Sequence, residues 1–424
     1  GRIRDKRAPP EAERCQSIRS ESTLGCRFDQ KSVAMKVTAV RVWRTRFPAM
    51  QEGVVQKVLP VQVETDAGLS GAGEIGLAYG HGGRAAAEAL LELAGARLLG
   101  RDPFLTERIQ DEMRRDSFWG HVPGPILGAA ISALDEALWD IKGKALGQPV
   151  HALLGGACRD RLRLYCNGWY RGLGPPEAYA RAAREVQARG FTALKFDPMK
   201  LDAAGRACHV TRHIERRLED LAVARVEAVR EAVGPAMDII IELHGNMWPM
   251  DSIRFGRRIA HTRPFCMEEV ADAEDATAAR EVGLQTGIAI AGGERLSTPG
   301  DFRRHFEARA FALAQPDMGI AGGFTGVRQV AALAAAHGVF IQPHNCGGPV
   351  TTAACAQLAF ATPNALIQEI FPVWPEDDRL DMVDAPLERT IEDGHLPLPT
   401  RPGIGVEVRA DYLARCERLG EVGA

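Results

Sequence analysis

The run Asp238-Ile239-Ile240-Ile241-Glu242-Leu243-His244 is one of a series. Glu242 is followed 26 residues on by Glu268, in Pro264-Phe265-Cys266-Met267-Glu268-Glu269, and after 26 more by Glu294, in Ile288-Ala289-Ile290-Ala291-Gly292-Gly293-Glu294. Each is a short apolar run that closes on a carboxylate. Similar runs occupy 161–169, 192–197, 310–317, 339–344 and 365–369, with helix-like segments of Ala, Arg, Glu and Leu between most of them. Eight strands alternating with helices specify an α/β fold, a parallel (β/α) barrel. Seven of the runs end in an ionisable residue: Lys195, Glu242, Glu268, Glu294, Asp317, His344 and Glu369. After a first step of 47, the spacings are 26, 26, 23, 27 and 25 residues. One strand-helix unit of a barrel has about that length, so these groups fall at one end of successive strands, where barrel active sites sit. The long first step implies an insertion around 200–220.

The flanking regions read differently. Residues 1–34 are rich in Arg, Glu and Ser without apolar period, and are expected to be a disordered extension, with Met35 as the natural start. From 35 to 156 the order is strands and then helices: strands at 36–46, 53–64 and 69–74, helices at 84–98 and 125–146. This is an α+β domain. The barrel is expected over 157–375. The remainder, 376–424, with a strand candidate at 404–408 and a helix near 410–419, is too small to fold alone and is expected to pack back on the first domain.

Composition narrows the class. Of 424 residues, 46% are apolar and 25% charged, as in an ordinary globular protein. Lys plus Arg number 52 against 55 Asp plus Glu, a net charge of −3, which argues against nucleic acid as a partner. No run is long enough to span a membrane. Nine cysteines without a Cys-x-x-Cys pair indicate neither a disulfide framework nor a structural zinc site, and suit a cytoplasmic protein.

Side chains two apart on a strand share a face, so Glu242 and His244 point together, as do Lys195 and Asp197. Glu242, Glu268 and Glu294 on adjacent strands would repel if buried without a cation, and oxygen ligands suit Mg²⁺, one ion per site. Glu269 competes with Glu268 for its place; the even spacing and the parity of Cys266 favour Glu268. Asp317 beside His344 would raise its basicity and fix its tautomer, as a general base needs. Lys195 offers positive charge to an anionic substrate. Glu369 would donate or share a proton with a developing oxyanion if its pKa is raised. The glycine-rich stretches 68–73 and 319–326 do not match a phosphate loop and read as turns.

At these residues the sequence resembles the mandelate-racemase-like branch of the enolase superfamily, from Met35 to the C-terminus. Ala133-Leu134-Asp135-Glu136-Ala137-Leu138-Trp139-Asp140-Ile141-Lys142-Gly143-Lys144 is similar to the family's link from capping domain to barrel. Glu242-Leu243-His244-Gly245, Met267-Glu268-Glu269 and Gly293-Glu294-Arg295 resemble its metal-ligand strands. Gln315-Pro316-Asp317 and Pro343-His344-Asn345 resemble its Asp–His dyad, and Ile367-Gln368-Glu369 its last barrel Glu. The resemblance implies a (β/α)7β barrel, a capping domain built from both chain ends, and Mg²⁺.

Within the branch, Asn167-Gly168-Trp169-Tyr170, Leu194-Lys195-Phe196-Asp197-Pro198 and the Gly348-Pro349 that follows His344 are most similar to gluconate and galactonate dehydratases. Asp197 stands where racemases carry a second Lys, which argues against 1,1-proton transfer. Asn246 and Val270 also depart from the usual pattern. The implied reaction is dehydration of a sugar acid to a 2-keto-3-deoxy acid. His344, oriented by Asp317, takes the α-proton, His244 protonates the departing 3-hydroxyl, and Lys195 and Glu369 serve the developing negative charge. Asn167, Asp197, Tyr79 and His81 are the expected substrate contacts, with loops near 48–52 and 75–83 setting specificity. A homo-oligomer acting on a small-molecule sugar acid is expected. A racemase, epimerase or cycloisomerase on the same scaffold is the alternative, as is a non-catalytic acid-sugar binding protein.

Overall fold

The computed structural model describes residues 35–45, 58–77, 81–208, 210–371 and 378–423. Among these, strands β1 (Val37–Arg44), β2 (Leu59–Thr65) and β3 (Ser70–Ile75) form an antiparallel meander. Three helices follow: α1 (Gly83–Arg97), α2 (Thr106–Arg115) and α3 (Gly124–Leu146). The helix α2, which the periodicity does not reveal, has a strongly polar sequence with only four buried positions. The sheet is completed from the far end of the chain, where Glu417–Gly423 pairs antiparallel with β1. This corrects the expected helix over 410–419. Helix covers only Ala410–Leu413, and the pairing with β1 claims the residues that follow it. The strand candidate at 404–408 is also corrected: Val408 makes only an isolated bridge, to Val383.

The 23-residue helix α3 is the hub. Pro125 in its first turn presets helical φ, and Gly147 ends it in the left-handed region at φ +63°. Its Ala-rich middle is buried all round, so backbones can approach closely. At Gly73 of β3 a Cβ would lie 1.9 Å from the Ala133 carbonyl oxygen, which leaves room for glycine alone. The carboxylates of α3 are acceptors for amides that would otherwise be buried without partners. Asp140 accepts from Ala72 N and Ile404 N (2.9 Å each), Glu136 from Glu74 N (3.0 Å), and Asp135 from Thr325 N (3.0 Å) in the first turn of helix Gly323–Ala336. One helix thereby ties β3, the chain's return and a helix of the second sheet together.

That second sheet holds eight parallel strands among the described residues: β4 (Arg161–Cys166), β5 (Ala193–Phe196), β6 (Asp238–Glu242), β7 (Cys266–Glu268), β8 (Ile290–Gly292), β9 (Leu313–Ala314), β10 (Phe340–Ile341) and β11 (Gln368–Ile370). Neighbours pair in sequence order, and β11 pairs with β4. A bridge between Ile341 and Ala365 joins β10 to the entry of β11 and closes the ring. Outward residues such as Leu194, Ile241 and Met267 pack under the helices. Inward residues Tyr165, Ala193, Ile240, Cys266, Ala291, Leu313 and Ile367 form a separate packed layer. Two positions further along β5, β6, β7 and β11 stand Lys195, Glu242, Glu268 and Glu369. The period of two places polar groups directly above an apolar plug.

Glu74 sits where the two sheets meet. Its carboxylate accepts from Gly348 N (2.6 Å) and Thr351 N (3.3 Å) at the start of helix Pro349–Ala361. Burial nevertheless pushes its carboxyl up to about 7. In the unfolded chain it titrates near 4.5. The folded state therefore holds the extra proton between these values, and stability falls as pH rises through that window, by up to about 3 kcal/mol for this group. Glu74→Gln removes this proton uptake. Urea midpoints measured at pH 5 and pH 7.5 should differ less in the variant than in the parent; an identical pH slope in both would contradict the assignment.

Candidate active site

Above the apolar plug, Lys195 reaches into a group of carboxylates. Its Nζ lies 2.5 Å from Glu268 Oε1, 2.8 Å from Glu369 Oε1 and 3.5 Å from Glu242 Oε2. Lys195, Glu242, Glu268 and Glu369 are at most 2% exposed. Burial alone would strip the charge from Lys195, but Glu268 and Glu369 outweigh it and hold its pKa well above the usual lysine range. Burial and the neighbouring Glu242 push Glu268 well up. For Glu242, burial is overcome by His244 and Lys195, which hold it well down. Glu242, Glu268 and Glu294 bring one oxygen each within 4.8 Å of one another. One lysine cannot offset this many buried carboxylates, and an all-oxygen donor set fits a hard divalent cation.

The adjacent Glu269 turns elsewhere. At φ +48° the backbone swings out of β7, and the side chain accepts from Gly293 N (2.8 Å) and pairs with Arg295. Arg295 in turn holds Glu294 Oε1 at 2.9 Å. Glu268 and Glu269 thus differ in kind: one points into the carboxylate cluster, the other steadies Glu294 from the side. Burial and Glu294 lift Glu269 to about 7.

Two histidines face the same cavity, each backed by a carboxylate. His344 Nδ1 lies 2.6 Å from Asp317 Oδ2, and its Nε2 lies 3.3 Å from Glu294 Oε2 and 3.1 Å from Cys346 Sγ. Burial opposes protonation of His344, but Cys346, Glu294 and Asp317 raise its pKa well above the ordinary value. His244 Nδ1 lies 2.7 Å from Asp197 Oδ2. A left-handed His244 (φ +53°) and Gly245 (φ +64°) turn the chain sharply off β6, and the His244 amide donates to Glu242 Oε1 at 2.6 Å. The His244 pKa is also raised, with Glu242 and Asp197 overcoming burial. In both residues Nδ1 is held by an aspartate, so the chemistry falls to Nε2, which in His344 also meets Cys346 and Glu294.

The cavity encloses about 1290 Å³ and is lined by Lys195, Glu242, His244, Glu294, Asp317 and His344 among others. Two sequence expectations need correction here. Asp197 is not a lining residue; its carboxylate lies behind His244 and also accepts from Met199 N at 2.8 Å. Nor is Glu369 poised to donate a proton. It accepts from Asn167 Nδ2 (2.7 Å) and Asn345 N (2.9 Å) as well as facing Lys195, and although burial opposes ionisation, Lys195 and His344 lower its pKa. Asn167 does line the cavity, but its amide is engaged by Glu369 and by Gly168 N. His81 lines the cavity and is solvent-exposed. Tyr79 and the loop at 48–52 lie outside the described residues. Sequence reasoning missed Arg295, Gln315, which donates to Glu268 Oε2 at 2.7 Å, and Cys346. Strand parity would have pointed to the last two, which stand two places from Asp317 and His344.

Barrel, interior carboxylates and His–Asp pairs together define an enzyme of the enolase superfamily. The chain belongs to the mandelate racemase/muconate lactonizing enzyme family: the N-terminal domain of that family matches residues 34–155, and the enolase C-terminal domain-like family matches 178–412. It is 37% identical over 319 residues to an enzyme named D-gluconate dehydratase from Thermoproteus tenax, covering 75% of this chain and 62% of that one, less than two thirds of the relative's length. It is 32% identical over 387 residues to a D-galactonate dehydratase from Variovorax paradoxus, covering 91% and 95%. A crystal structure described as a member of the enolase superfamily from Salmonella Typhimurium superposes with a TM-score of 0.86 at 31% identity, covering 92% of this chain and all of that one.

Removing the buried ammonium from among the carboxylates should be costly. Lys195→Met is expected to lose about 3–5 kcal/mol of stability in the presence of chelator. Denaturant unfolding reads this directly, and an unchanged midpoint would show that the carboxylates are compensated in some other way.

Proposed function

We propose that this chain dehydrates a sugar acid of the gluconate or galactonate type to a 2-keto-3-deoxy acid. The observation that carries the reading is the pair of histidines on one cavity, each with Nδ1 on an aspartate, one beside Glu242 and the other beside Glu294 of the carboxylate cluster. The names of the two dehydratase relatives support both the hydro-lyase class and the substrate. Residues 35–156 act as the cap and 157–375 as the barrel; the tail expected to pack wholly on the cap instead packs mostly on the barrel, where His395–Pro397 pairs with β4, and only Glu417–Gly423 returns to the cap.

His344 Nε2 removes the proton beside the substrate carboxylate, and Asp317 stabilises the resulting imidazolium. Lys195 sits where positive charge meets the developing oxyanion, and Glu369 keeps that lysine charged and in place. Glu242, Glu268 and Glu294 would hold Mg²⁺, which when bound supplies Lewis-acid stabilisation of the enediolate's negative charge. The electron pair left at the α-carbon expels the 3-hydroxyl, and protonated His244 delivers a proton to it, so water leaves. The remaining enol tautomerises to the keto acid. Asp197, held on Nδ1 at 2.7 Å, orients the ring so that the proton delivered leaves from Nε2. Because Asp197 is bound to His244, it leaves no second base behind Lys195, which favours dehydration over racemisation.

The test is a library of aldonates and aldarates with Mg²⁺, read by semicarbazide for 2-keto acids. His344→Asn should lose both keto-acid formation and solvent deuterium exchange at the α-carbon. His244→Asn should lose keto acid by about 10²–10⁴-fold yet keep the exchange. Keto acid formed at parental rate by either variant would defeat the assignment, as would a library in which no acid reacts. Separately, calorimetry should show Glu268→Gln losing measurable Mg²⁺ binding, whereas Glu269→Gln weakens it by only about 10–100-fold through Arg295 and Glu294. The reverse order would exchange the two glutamates.

A further inference from the structure

Cys346 has no part in the chemistry above, yet it stands against the proposed base. We propose that His344 Nε2, Cys346 Sγ and Glu369 Oε2 form a second metal site, suited to Zn²⁺ and separate in donor type from the all-oxygen cluster.

The three donor atoms lie within 4.8 Å of one another. Nε2 is 3.1 Å from the sulfur and 3.9 Å from Oε2. Tetrahedral zinc, with bonds of about 2.0–2.3 Å, needs donor separations of about 3.3–3.7 Å. These two separations bracket that span and the sulfur–carboxylate separation lies within 4.8 Å, so side-chain shifts complete the site without backbone movement. Each donor is already prepared. His344 Nδ1 is held by Asp317 at 2.6 Å, the arrangement in which a carboxylate orients a metal-binding imidazole. Glu369 Oε1 is engaged by Lys195 and Asn167, while Oε2 accepts from the Asn345 amide at 2.9 Å and lies 3.9 Å from His344 Nε2. His344 and Cys346 both line the cavity, so a cation in solution reaches them. The donor sets separate the metals. Carboxylates alone suit Mg²⁺, whereas a nitrogen and a thiolate favour a softer ion.

Binding replaces the thiol proton, which passes to solvent, and leaves a thiolate–zinc bond. It also takes the Nε2 lone pair, and the proton that nitrogen carries in the imidazolium likewise passes to solvent. Zinc therefore blocks the atom assigned as base, competitively with substrate; this consequence alone rests on the proposed function.

The experiment uses the full chain in saturating Mg²⁺, with Co²⁺ as the spectroscopic probe. One equivalent should produce a near-ultraviolet thiolate-to-cobalt charge-transfer band and an intense tetrahedral visible spectrum. Both should vanish in Cys346→Ser and persist, more weakly held, in Glu369→Gln. In competition with a chromophoric chelator, Cys346→Ser should bind Zn²⁺ about 100-fold or more weakly than the parent. No thiolate band in the parent overturns the site, and so does a band that survives in Cys346→Ser, whose fold is checked by circular dichroism. Inhibition by Zn²⁺ is then measured against substrate. A thiolate band without inhibition upholds the metal site and instead counts against His344 as the base, so the two readings fail separately.

Discussion

The charge balance at Lys195 is the constraint on which the rest of the site depends. Four carboxylates end on or just beyond four strands, and a single ammonium stands among three of them at 2.5, 2.8 and 3.5 Å. In water such contacts are worth little. At 0–2% exposure the same attractions are strong, and so is the cost of leaving any of these charges unpaired. The cluster is therefore tolerable only if every member is anchored. Glu369 takes amide hydrogen bonds from Asn167 and Asn345, Glu268 takes one from Gln315, Glu242 takes the His244 amide, and Glu294 takes Arg295. Those neighbours hold the carboxylates where a cation can enter.

The same economy of buried acids recurs at the interface between the sheets. Asp135, Glu136 and Asp140 stand on α3 with no cation beside the first two within ion-pairing distance among the described residues. They accept backbone amides from β3, from the first turn of a barrel helix and from the returning chain. Burial lifts Asp135 to about 7 and Glu136 well above its usual range. These acids work as hydrogen-bond acceptors more than as charges. They also fix the height of β3 above the barrel, because Gly73 lets β3 settle against α3 with no side chain between them. The loop after β3 then approaches the turn beyond β9, where Gly76 meets Gly319 backbone to backbone and its amide donates to the Gly319 carbonyl. Gly76 and Leu77 line the cavity, so the packing of one helix decides how the cap meets the site.

Much of this was legible in the chain because period and parity report geometry directly. Strand-end groups spaced by one βα unit announced a ring, and residues two apart announced which side chains share its interior. The apolar plug of Ala193, Ile240 and Cys266 beneath Lys195, Glu242 and Glu268 follows from the same alternation. Legibility ended where tertiary contacts decide. Glu417–Gly423 carries no strong strand pattern and becomes a strand because β1 offers an unpaired edge. Adjacent Glu268 and Glu269 cannot be told apart by composition; a left-handed φ at Glu269 separates them. Charge state was the least legible property of all. Whether Glu369 gives or holds a proton depends on Lys195, 174 positions away in sequence and 2.8 Å away in space.

The two histidines show how one local device can serve opposite ends of a reaction. Each has its Nδ1 on an aspartate and its Nε2 toward the cavity, yet they reach that state differently. His344 stands three residues past β10, and Asp317 three residues past β9, joined by a parallel bridge that extends the barrel ladder. Register alone aligns that pair. His244 stands beyond a strand end in a left-handed turn, and its aspartate lies just past β5 on the neighbouring strand. Strand pairing alone would send His244 onward with the chain; the turn, pinned by its own amide on Glu242, brings the ring back over Asp197. Since Glu242 also belongs to the carboxylate cluster, any group that draws charge from Glu242 reaches the His244 backbone as well. The position of the acid is thus coupled to the cation site through one carboxylate, whereas the position of the base is set by the barrel itself.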